Sequence, residues 1–126
     1  LEDKIFLLGH IDNPIPYVKN FDIFCITSDT EQMPLALLEA MACKCPIIST
    51  DVGDIKDVVA NDNVKYIVLK DDDNAYLSSL IELITNKNLR QTIGESNFKK
   101  CVKKYSVGSM IKLYENLFNS ILYNIG

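Results

Sequence analysis

The chain has 126 residues, of which 48% are hydrophobic and 24% are charged, a composition typical of one globular domain. Its formal net charge of -4 provides no general positive field for phosphates, which argues against DNA and RNA as partners. No apolar run approaches the roughly 18 residues of a membrane-spanning helix, and no signal-peptide layout opens the sequence. A cytoplasmic location is therefore expected, with the inner face of the membrane as an alternative.

Short apolar runs and helical segments alternate through the first half of the chain. The runs at 5–8, 23–26, 46–49 and 66–69 are continuously apolar, as in strands buried on both faces of a parallel sheet. In the segments between them, apolar residues recur with helical spacing, at 15–20, 34–43 and 54–60. This alternation predicts βαβ units and therefore a parallel sheet.

Three helices are predicted after residue 69, because apolar residues recur there at i, i+3, i+4 and i+7. Their ranges are 75–85, 89–105 and 110–123, and Gly94 weakens the second while Gly108 marks the boundary before the third. The predicted fold class is α/β, a Rossmann-like parallel sheet of about four strands with flanking helices and a helical C-terminal tail. A complete doubly wound domain has roughly five or six strands, so residues 1–126 are predicted to be a single partial domain of a larger protein.

Neither the cysteines nor the acidic residues predict a metal site. The four cysteines lie in apolar segments without Cys-x-x-Cys spacing, and we expect reduced, structural thiols. They are Cys25, Cys43, Cys45 and Cys101. Carboxylates that flank a strand-to-helix turn cap the helix more often than they bind a metal. Here they are Asp51, Asp54 and Asp57, and residues 71–73 are likewise predicted to form a turn and a helix cap.

The segment most informative about function is 28–42, which follows a predicted strand and leads into a predicted helix. It therefore lies at the carboxyl end of a parallel sheet, where open α/β folds bind ligands. Pro34 suits the first turn of a helix, which is predicted to begin at Met33 or Pro34. Free N–H groups at Met33, Leu35 and Ala36, together with the helix dipole, would then bind a diphosphate.

Two glutamates lie on either side of this helix start. Residues 35–43 are apolar or small except for Glu39, so the helix is predicted to be buried all round and Glu39 to need a hydrogen-bonding partner. A pair of sugar hydroxyls suits a carboxylate, which accepts two donors side by side. Glu39 is about 7.5 Å along the helix axis from Pro34, comparable to the separation of ribose and diphosphate in a nucleotide. Glu31 would reach the other side of the diphosphate, where the sugar of a nucleotide sugar lies.

This part of the chain also resembles a known family. The shared frame is Glu31-Gln32-Met33-Pro34-Leu35, Leu38-Glu39-Ala40-Met41-Ala42, Pro46-Ile47-Ile48 and Thr50-Asp51-Val52-Gly53. It is similar to the family 4 retaining glycosyltransferases of the GT-B fold, and the resemblance extends from about residue 5 to residue 123. The chain is thereby predicted to be the C-terminal, nucleotide-sugar-binding domain of such an enzyme.

The resemblance implies a reaction and a set of site residues. The reaction is hexosyl transfer from a nucleotide-diphosphate sugar to a hydroxyl acceptor, with retention and without a metal or other cofactor, in surface polysaccharide or glycoconjugate synthesis. Glu31 is the implied catalytic-site residue, in contact with the donor sugar, and Glu39 binds the ribose. The other implied donor-binding positions are Gly9 and His10 beside the base, and Gln32, Met33, Pro34 and Leu35 around the sugar and phosphates.

The chain also departs from the family pattern. Glycine is common in the family where Gln32 stands, and again at Lys44, Asp54 and Lys65, so loop conformations are expected to differ there. The glycan or lipid-linked acceptor is implied to bind through an N-terminal domain. The basic pair that family members place upstream has no counterpart and would precede Leu1, so the isolated chain is expected to be inactive.

Two other functions are consistent with the predicted fold. A nucleotide-sugar epimerase of similar fold is the enzymatic alternative, and a flavodoxin-like receiver or binding module is the non-enzymatic one. A receiver requires a phosphoacceptor at a strand end, for which Asp51 is the candidate, and it would leave Glu39 unexplained. A basic strip is predicted to be a solvated face, with an anionic membrane as the alternative partner. It consists of Lys99, Lys100, Lys103 and Lys104.

Overall fold

The structure is a computed structural model that describes residues 2–123, with side chains described over residues 3–122. Its strands are β1 (Phe24–Ile26), β2 (Ile47–Thr50) and β3 (Ile67–Val68). Its α-helices are α1 (Ile15–Val18), α2 (Leu35–Ala42), α3 (Ile55–Val58), α4 (Asp73–Thr85), α5 (Lys87–Tyr105) and α6 (Val107–Tyr123). Short 3-10 helices occupy Glu2–Lys4 and Asn61–Tyr66.

The three strands form one parallel sheet in the order β1-β2-β3. Phe24 lies opposite Ile47, and Ser49 lies opposite Ile67. Helix α2 connects β1 to β2, and α3 with the second 3-10 helix connects β2 to β3, as βαβ units require. The predicted α/β class with a parallel sheet and flanking helices is therefore confirmed.

The strand predicted at 5–8 is wrong, so the described sheet has three strands rather than four. Phe6 is 79% exposed and Leu7 is 94% exposed. An apolar run predicts burial, but a strand exists only where its backbone groups pair with a neighbouring strand. Within residues 2–123 this run pairs with none, and it lies instead along the rim of a groove beside β1 and α2.

The core has two layers, one on each face of the sheet. Ile47 faces a cluster that α2, α3 and the second half of α5 complete, whereas the next residue, Ile48, faces a cluster with Leu83 of α4 and Ile93 of α5. Both isoleucines are fully buried, which follows from the alternation of side chains along a strand. Each such side chain contributes about 1.5–3 kcal/mol of burial free energy.

The observed helix ends depart from the predicted ranges by a few residues, for local reasons. The predicted Asp cap is confirmed, because Asp72 accepts a hydrogen bond from the backbone N–H of Ala75 at 2.9 Å and α4 starts at Asp73. Helix α6 begins three residues before its predicted start, since Ser106 caps it by accepting from the N–H of Ser109 at 3.2 Å. Helix α3 ends early, because Val59 is extended with ψ 159°.

A buried pair of asparagines joins β2, the second 3-10 helix and α5. The side chain of Asn63 pairs with both the N–H and the carbonyl of Ile47, at 2.9 and 2.8 Å. Asn97 donates to Asn63 at 2.8 Å and to the carbonyl of Cys45 at 3.0 Å, and it accepts from the N–H of Ala60 at 3.0 Å. Both side chains are fully buried, so these bonds satisfy polar groups that water cannot reach.

Helix α2 ends in a left-handed residue that is not glycine. Lys44 has φ 62°, its N–H bonds to the carbonyl of Met41 at 3.1 Å, and the N–H of Cys45 bonds to the carbonyl of Ala40 at 3.0 Å. These two bonds form a Schellman motif, which glycine usually closes. At Lys44, where glycine is common in the family, the residue type differs, but the backbone has the left-handed conformation that glycine usually adopts.

All four cysteines are free in the structure. Cys45 and Cys101 are buried in the core, whereas Cys25 is exposed. Within the described part of the chain, no helix is both long and apolar enough to cross a membrane.

Candidate functional site

The candidate site lies at the carboxyl ends of the strands. Because the strands are parallel, the segments that follow β1, β2 and β3 emerge at the same edge of the sheet. They begin at Thr27, Asp51 and Leu69. The segment after β1 runs to Pro34 and leads directly into α2, so every predicted site residue from Glu31 to Glu39 lies on this loop or on this helix.

The start of α2 is one residue later than predicted. Pro34 precedes the first helical residue, and its ψ of 128° is extended rather than helical, because the residue that caps a helix leaves the helical region. The first N–H groups of a helix have no partner within it, and here they belong to Leu35 and Ala36, which are both exposed. No side chain caps this end, so it is open to an anionic ligand.

Glu39 lies on the side of α2 that faces away from the core. Leu37 and Met41 are fully buried, whereas Leu35 is 71% exposed. The prediction that α2 is buried all round is therefore wrong: only one face packs against the sheet, and Ala36 on the other face lines the groove. Glu39 is half-buried, and its carboxylate has no hydrogen-bond partner among the described residues. Both oxygens of the Glu39 carboxylate are therefore available to accept hydrogen bonds from a ligand.

A groove of about 660 Å³ brings Glu39 together with the predicted residues Gly9 and His10. Its walls are mostly apolar and aromatic, and the rings of Phe21 and Phe24 stack with centroids 6.4 Å apart. The other aromatic and apolar residues of the lining include Phe6, Leu8, Ile11 and Tyr17. His10 bonds to Asp12 at 3.1 Å in an exposed position. Such a groove suits a flat ring system with a polar group at the carboxylate end.

Glu31 lies on the other side of the α2 start, in a recess of about 510 Å³ that Thr30, Gln32 and Met33 also line. The side chain of Glu31 is half-buried and accepts a hydrogen bond from the hydroxyl of Ser28 at 2.7 Å. Sequence reasoning missed Ser28. The bond joins two side chains of an irregular loop, whose path is not fixed by helical or strand periodicity.

The turn after β2 supports the loop that carries Glu31. Gly53 has φ 57°, and a Cβ atom there would collide with the carbonyl oxygens of Glu31 and Gln32. The N–H of Asp54 donates to the carbonyl of Gln32 at 2.9 Å. Glycine is needed here for both reasons, a left-handed backbone and a close approach of two chain segments.

The three aspartates after β2 do not cap α3 as predicted. Asp54 occupies the capping position without a side-chain hydrogen bond, and Asp51 pairs instead with Lys56 at 2.8 Å. Asp51 thus bonds to a side chain of α3 rather than to the backbone N–H groups at its start. The first turn is closed instead by the backbone bond from the N–H of Asp57 to the carbonyl of Asp54, at 3.0 Å. Across residues 2–123, no three His, Cys, Asp or Glu side chains converge as metal ligands would.

A neighbouring recess of about 350 Å³ opens between Thr27, Thr50, Lys70 and Tyr76. Lys70 forms an ion pair with Asp29 at 3.2 Å, and burial raises the pKa of the Tyr76 hydroxyl well above its usual range. The recess places one cation at the carboxyl edge of the sheet, which sequence reasoning missed because Lys70 is distant from residues 28–42 in the chain.

The predicted basic strip on α5 is only partly a solvated face. Lys100 donates to the carbonyls of Asp57 and Val59 at 2.7 and 2.6 Å, and partial burial lowers the pKa of its ammonium group. It therefore joins α5 to the end of α3. Lys99, Lys103 and Lys104 are exposed, as a solvated face requires, and contact between them and anionic lipid stays an untested alternative.

The fold and the site together define a parallel α/β domain with an uncapped helix start at the carboxyl edge of its sheet, flanked by two carboxylates and adjoining a groove beside β1. Ligand-binding domains of the doubly wound class have this arrangement. The model of one family, described as "Glycosyl transferases group 1", matches residues 1–100, and the chain belongs to this family. Membership favours the glycosyltransferase prediction over the epimerase and the receiver.

Individual relatives agree with this assignment. The chain is 30% identical over 119 residues to the capsular polysaccharide biosynthesis glycosyltransferase CapM of Staphylococcus aureus, covering 94% of this chain and 31% of the relative. It is 28% identical over 122 residues to the N-acetyl-alpha-D-glucosaminyl L-malate synthase of Bacillus anthracis, covering 97% and 32%. The chain thus spans about a third of the length of these curated relatives.

A solved structure shows the same fold. The crystal structure of an S. aureus TarM variant, in complex with fondaparinux, alpha-GlcNAc-glycerol and UDP, superposes with a TM-score of 0.76 at 25% identity. The match covers 94% of this chain and 24% of that chain. The partial-domain prediction and the roles of the individual site residues stay predictions.

Proposed function

We propose that the chain is the donor-binding part of a retaining, family 4 glycosyltransferase that transfers a hexosyl group from a nucleotide-diphosphate sugar to a hydroxyl acceptor. The observation that carries the proposal is the order of features along one helix: the Glu31 recess, the uncapped start of α2 and the groove at Glu39. This order matches the order of sugar, diphosphate and nucleoside in the donor.

The diphosphate would bind at the start of α2. The N–H groups of Leu35 and Ala36 point out of the helix there, and the helix dipole adds a partial charge of about +0.5. When the bond between the anomeric carbon and the diphosphate oxygen breaks, the bonding electrons stay on the diphosphate. Fixed N–H donors stabilise that growing negative charge without a metal ion, which supports a reaction independent of magnesium.

The nucleoside and the sugar would bind on either side of the diphosphate. Glu39 is placed to accept from the two ribose hydroxyls, while the aromatic walls beside Gly9 and His10 would enclose the base. Glu31 has one carboxylate oxygen without a described partner, Oε2, and would bind a hydroxyl of the donor sugar. The chain's own residues thus bind and orient the donor, and the acceptor is proposed to bind through an N-terminal domain.

The names of the relatives support the finer parts of the proposal. The B. anthracis relative is named for an N-acetyl-alpha-glucosaminyl group, and the TarM complex contains UDP and an alpha-linked N-acetylglucosamine. Because UDP-N-acetylglucosamine is itself alpha-linked, an alpha product corresponds to retention. UDP-N-acetylglucosamine is therefore the first donor to test, and CapM supports a role in surface polysaccharide synthesis.

The test is a nitrogen-proton NMR titration of the protein with UDP, GDP and ADP, with and without magnesium. We expect shifts at the amides of Leu35 and Ala36 for one nucleotide, unchanged by magnesium. Glu39→Gln should weaken this binding by about tenfold or more, because hydrogen bonds to a charged carboxylate are among the strong ones. The matched control is Glu115→Gln, at an exposed position on α6.

Three results would contradict the proposal. They are the absence of shifts at millimolar concentrations of all three nucleotides, shifts confined to residues distant from α2, and equal binding by Glu39→Gln and the unchanged protein. Shifts that require magnesium would contradict the metal-independent part alone.

A further inference from the structure

Ser28 and Thr50 form a chain of hydrogen bonds that ends on Glu31. We propose that they are positioning residues, which hold the Glu31 carboxylate in one orientation and leave one of its oxygens for the donor sugar. This inference rests on the proposed function and deepens it. It concerns how the site distinguishes a nucleotide sugar from a bare nucleotide.

The first link is the hydrogen bond from the Ser28 hydroxyl to Oε1 of Glu31, at 2.7 Å. A hydroxyl that donates to a carboxylate makes a short, strong bond. Because this bond holds Oε1, the carboxylate cannot rotate freely, and Oε2, which has no described partner, is left to accept from a ligand. Glu31 therefore presents its second oxygen in one orientation.

The second link ties Ser28 to the sheet. The Thr50 hydroxyl donates to the carbonyl of Ser28 at 2.7 Å, across 22 positions of the chain. Thr50 is the last residue of β2, the central strand, and lies opposite Val68 of β3. The loop is therefore attached to the central strand of the sheet.

The third link fixes the residue after Glu31. The carbonyl of Gln32 accepts from the N–H of Asp54 at 2.9 Å, while Gly53 lies directly against the Glu31 and Gln32 backbone. Three points of the loop, before, at and after Glu31, are thus held by contacts with other parts of the chain. A site arranged in this way binds without first ordering its loop.

The consequence is specific to the sugar. In the proposed donor complex, the diphosphate binds at the start of α2 and the nucleoside binds at Glu39, and neither contact involves Ser28 or Thr50. Removing the Ser28 hydroxyl should therefore weaken the binding of a nucleotide sugar more than that of the corresponding nucleotide diphosphate. The informative quantity is the ratio of the two affinities.

The experiment is isothermal titration calorimetry of the protein with UDP-N-acetylglucosamine, UDP-glucose, UDP-galactose and GDP-mannose, each compared with UDP or GDP. For the sugar bound most tightly, Ser28→Ala should lower the ratio of sugar-nucleotide to nucleotide affinity by about fivefold to tenfold. The affinity for the bare nucleotide should stay within about twofold. Ser28→Thr keeps the hydroxyl and should restore the ratio.

Thr50 and a control serine complete the set of variants. Thr50→Val removes the second link and should lower the same ratio by a smaller factor, while Thr50→Ser should restore it. The control is Ser78→Ala, whose hydroxyl bonds to the carbonyl of Asn74 on the exposed side of α4. Unfolding midpoints in urea, measured for every variant, separate loss of fold from loss of positioning.

The outcomes separate the inference from the proposed function. An unchanged ratio in Ser28→Ala overturns the inference, as does an equal loss for sugar-nucleotide and nucleotide, because a merely structural serine would affect both. Failure of the unchanged protein to bind any of the six compounds overturns the proposed function, and the inference falls with it.

Discussion

Two glycines in α-helices occupy opposite environments, one with no room for a Cβ atom and the other with open space. Gly94, in the middle of α5, lies against the end of α2, where a Cβ atom would collide with the carbonyl oxygen of Lys44. Gly108, in the first turn of α6, has open space around it. Glycine normally weakens a helix, but at Gly94 it allows α5 and α2 to pack closely.

These environments predict opposite effects of the same substitution. Gly94→Ala should lower the free energy of unfolding by about 2 kcal/mol, because the colliding atom is backbone and cannot rotate away. Gly108→Ala, the matched control, should raise it by about 0.5–1 kcal/mol through helix propensity. Urea denaturation followed by circular dichroism measures both changes. A stabilising Gly94→Ala would show that the close approach of α2 and α5 is wrong.

The catalytic proposal also depends on single residues. The family resemblance implies that both Glu31 and Glu39 bind the donor, but their surroundings differ. Glu31 is hydrogen-bonded to Ser28, whereas Glu39 has no described partner. The Glu31 carboxylate is therefore held by a neighbouring side chain, whereas both oxygens of Glu39 are left to accept the hydroxyls of a ligand.

At the scale of the elements, the buried asparagine pair supplies hydrogen bonds to the backbone of β2 that a neighbouring strand would otherwise make. Asn63 pairs with the N–H and the carbonyl of Ile47 as an adjacent strand would. Asn97 then connects this pair to α5, 34 positions further along the chain. The packing of α5 against the sheet is therefore fixed by polar contacts as well as by the apolar core.

Removal of the Asn97 side chain should lower the free energy of unfolding more than most single substitutions do. Asn97→Ala should lower the free energy of unfolding by about 3 kcal/mol, because it leaves the N–H of Ala60 and the carbonyl of Cys45 buried without these partners. Asn88→Ala, at an exposed position on the same helix, should change it by less than about 0.5 kcal/mol. Equal effects in chemical denaturation would contradict the buried network.

At the scale of the whole molecule, the buried thiols should make the free energy of unfolding fall as the pH becomes alkaline. Burial in the core raises the pKa of Cys45 from an ordinary value of 9.0 to about 11, and it also raises the pKa of Cys101. Between these values the folded protein keeps its thiol proton while the unfolded chain loses it. Stability is therefore fully present below about pH 9 and is lost as pH rises toward 11.

The expected measurement is the free energy of unfolding, under reducing conditions, at intervals from pH 8 to about pH 11. Cys45 should contribute a fall of up to about 1.4 kcal/mol per pH unit within the window. Cys45→Ala should be less stable at pH 8 but show a shallower dependence on pH. Burial also raises the pKa of Cys25, but only the shift of Cys45 is large, so Cys25→Ala, the comparison variant, should change the slope less. A slope unaffected by Cys45→Ala would contradict the assignment.

Local patterns in the sequence were sufficient for most of the architecture. Continuous apolar runs predicted β1, β2 and β3, helical spacing predicted the long helices α4, α5 and α6, and Asp72 predicted a cap. The segment 28–42 could be placed at the carboxyl edge of the sheet because strand and helix order fixes that position. All of these inferences use residues within a few positions of one another.

Tertiary structure decided the features that depend on distant parts of the chain. The apolar run at 5–8 is not a strand because no neighbour pairs with it among the described residues, and Glu39 is accessible because only one face of α2 meets the sheet. Thr50 reaches Ser28 across 22 positions, and Asn97 reaches Cys45 across 52. The amino-acid sequence by itself therefore determined which elements form and where a ligand site lies. Contacts between elements decided which side chains are held in place, because periodicity within one segment carries no information about its partner.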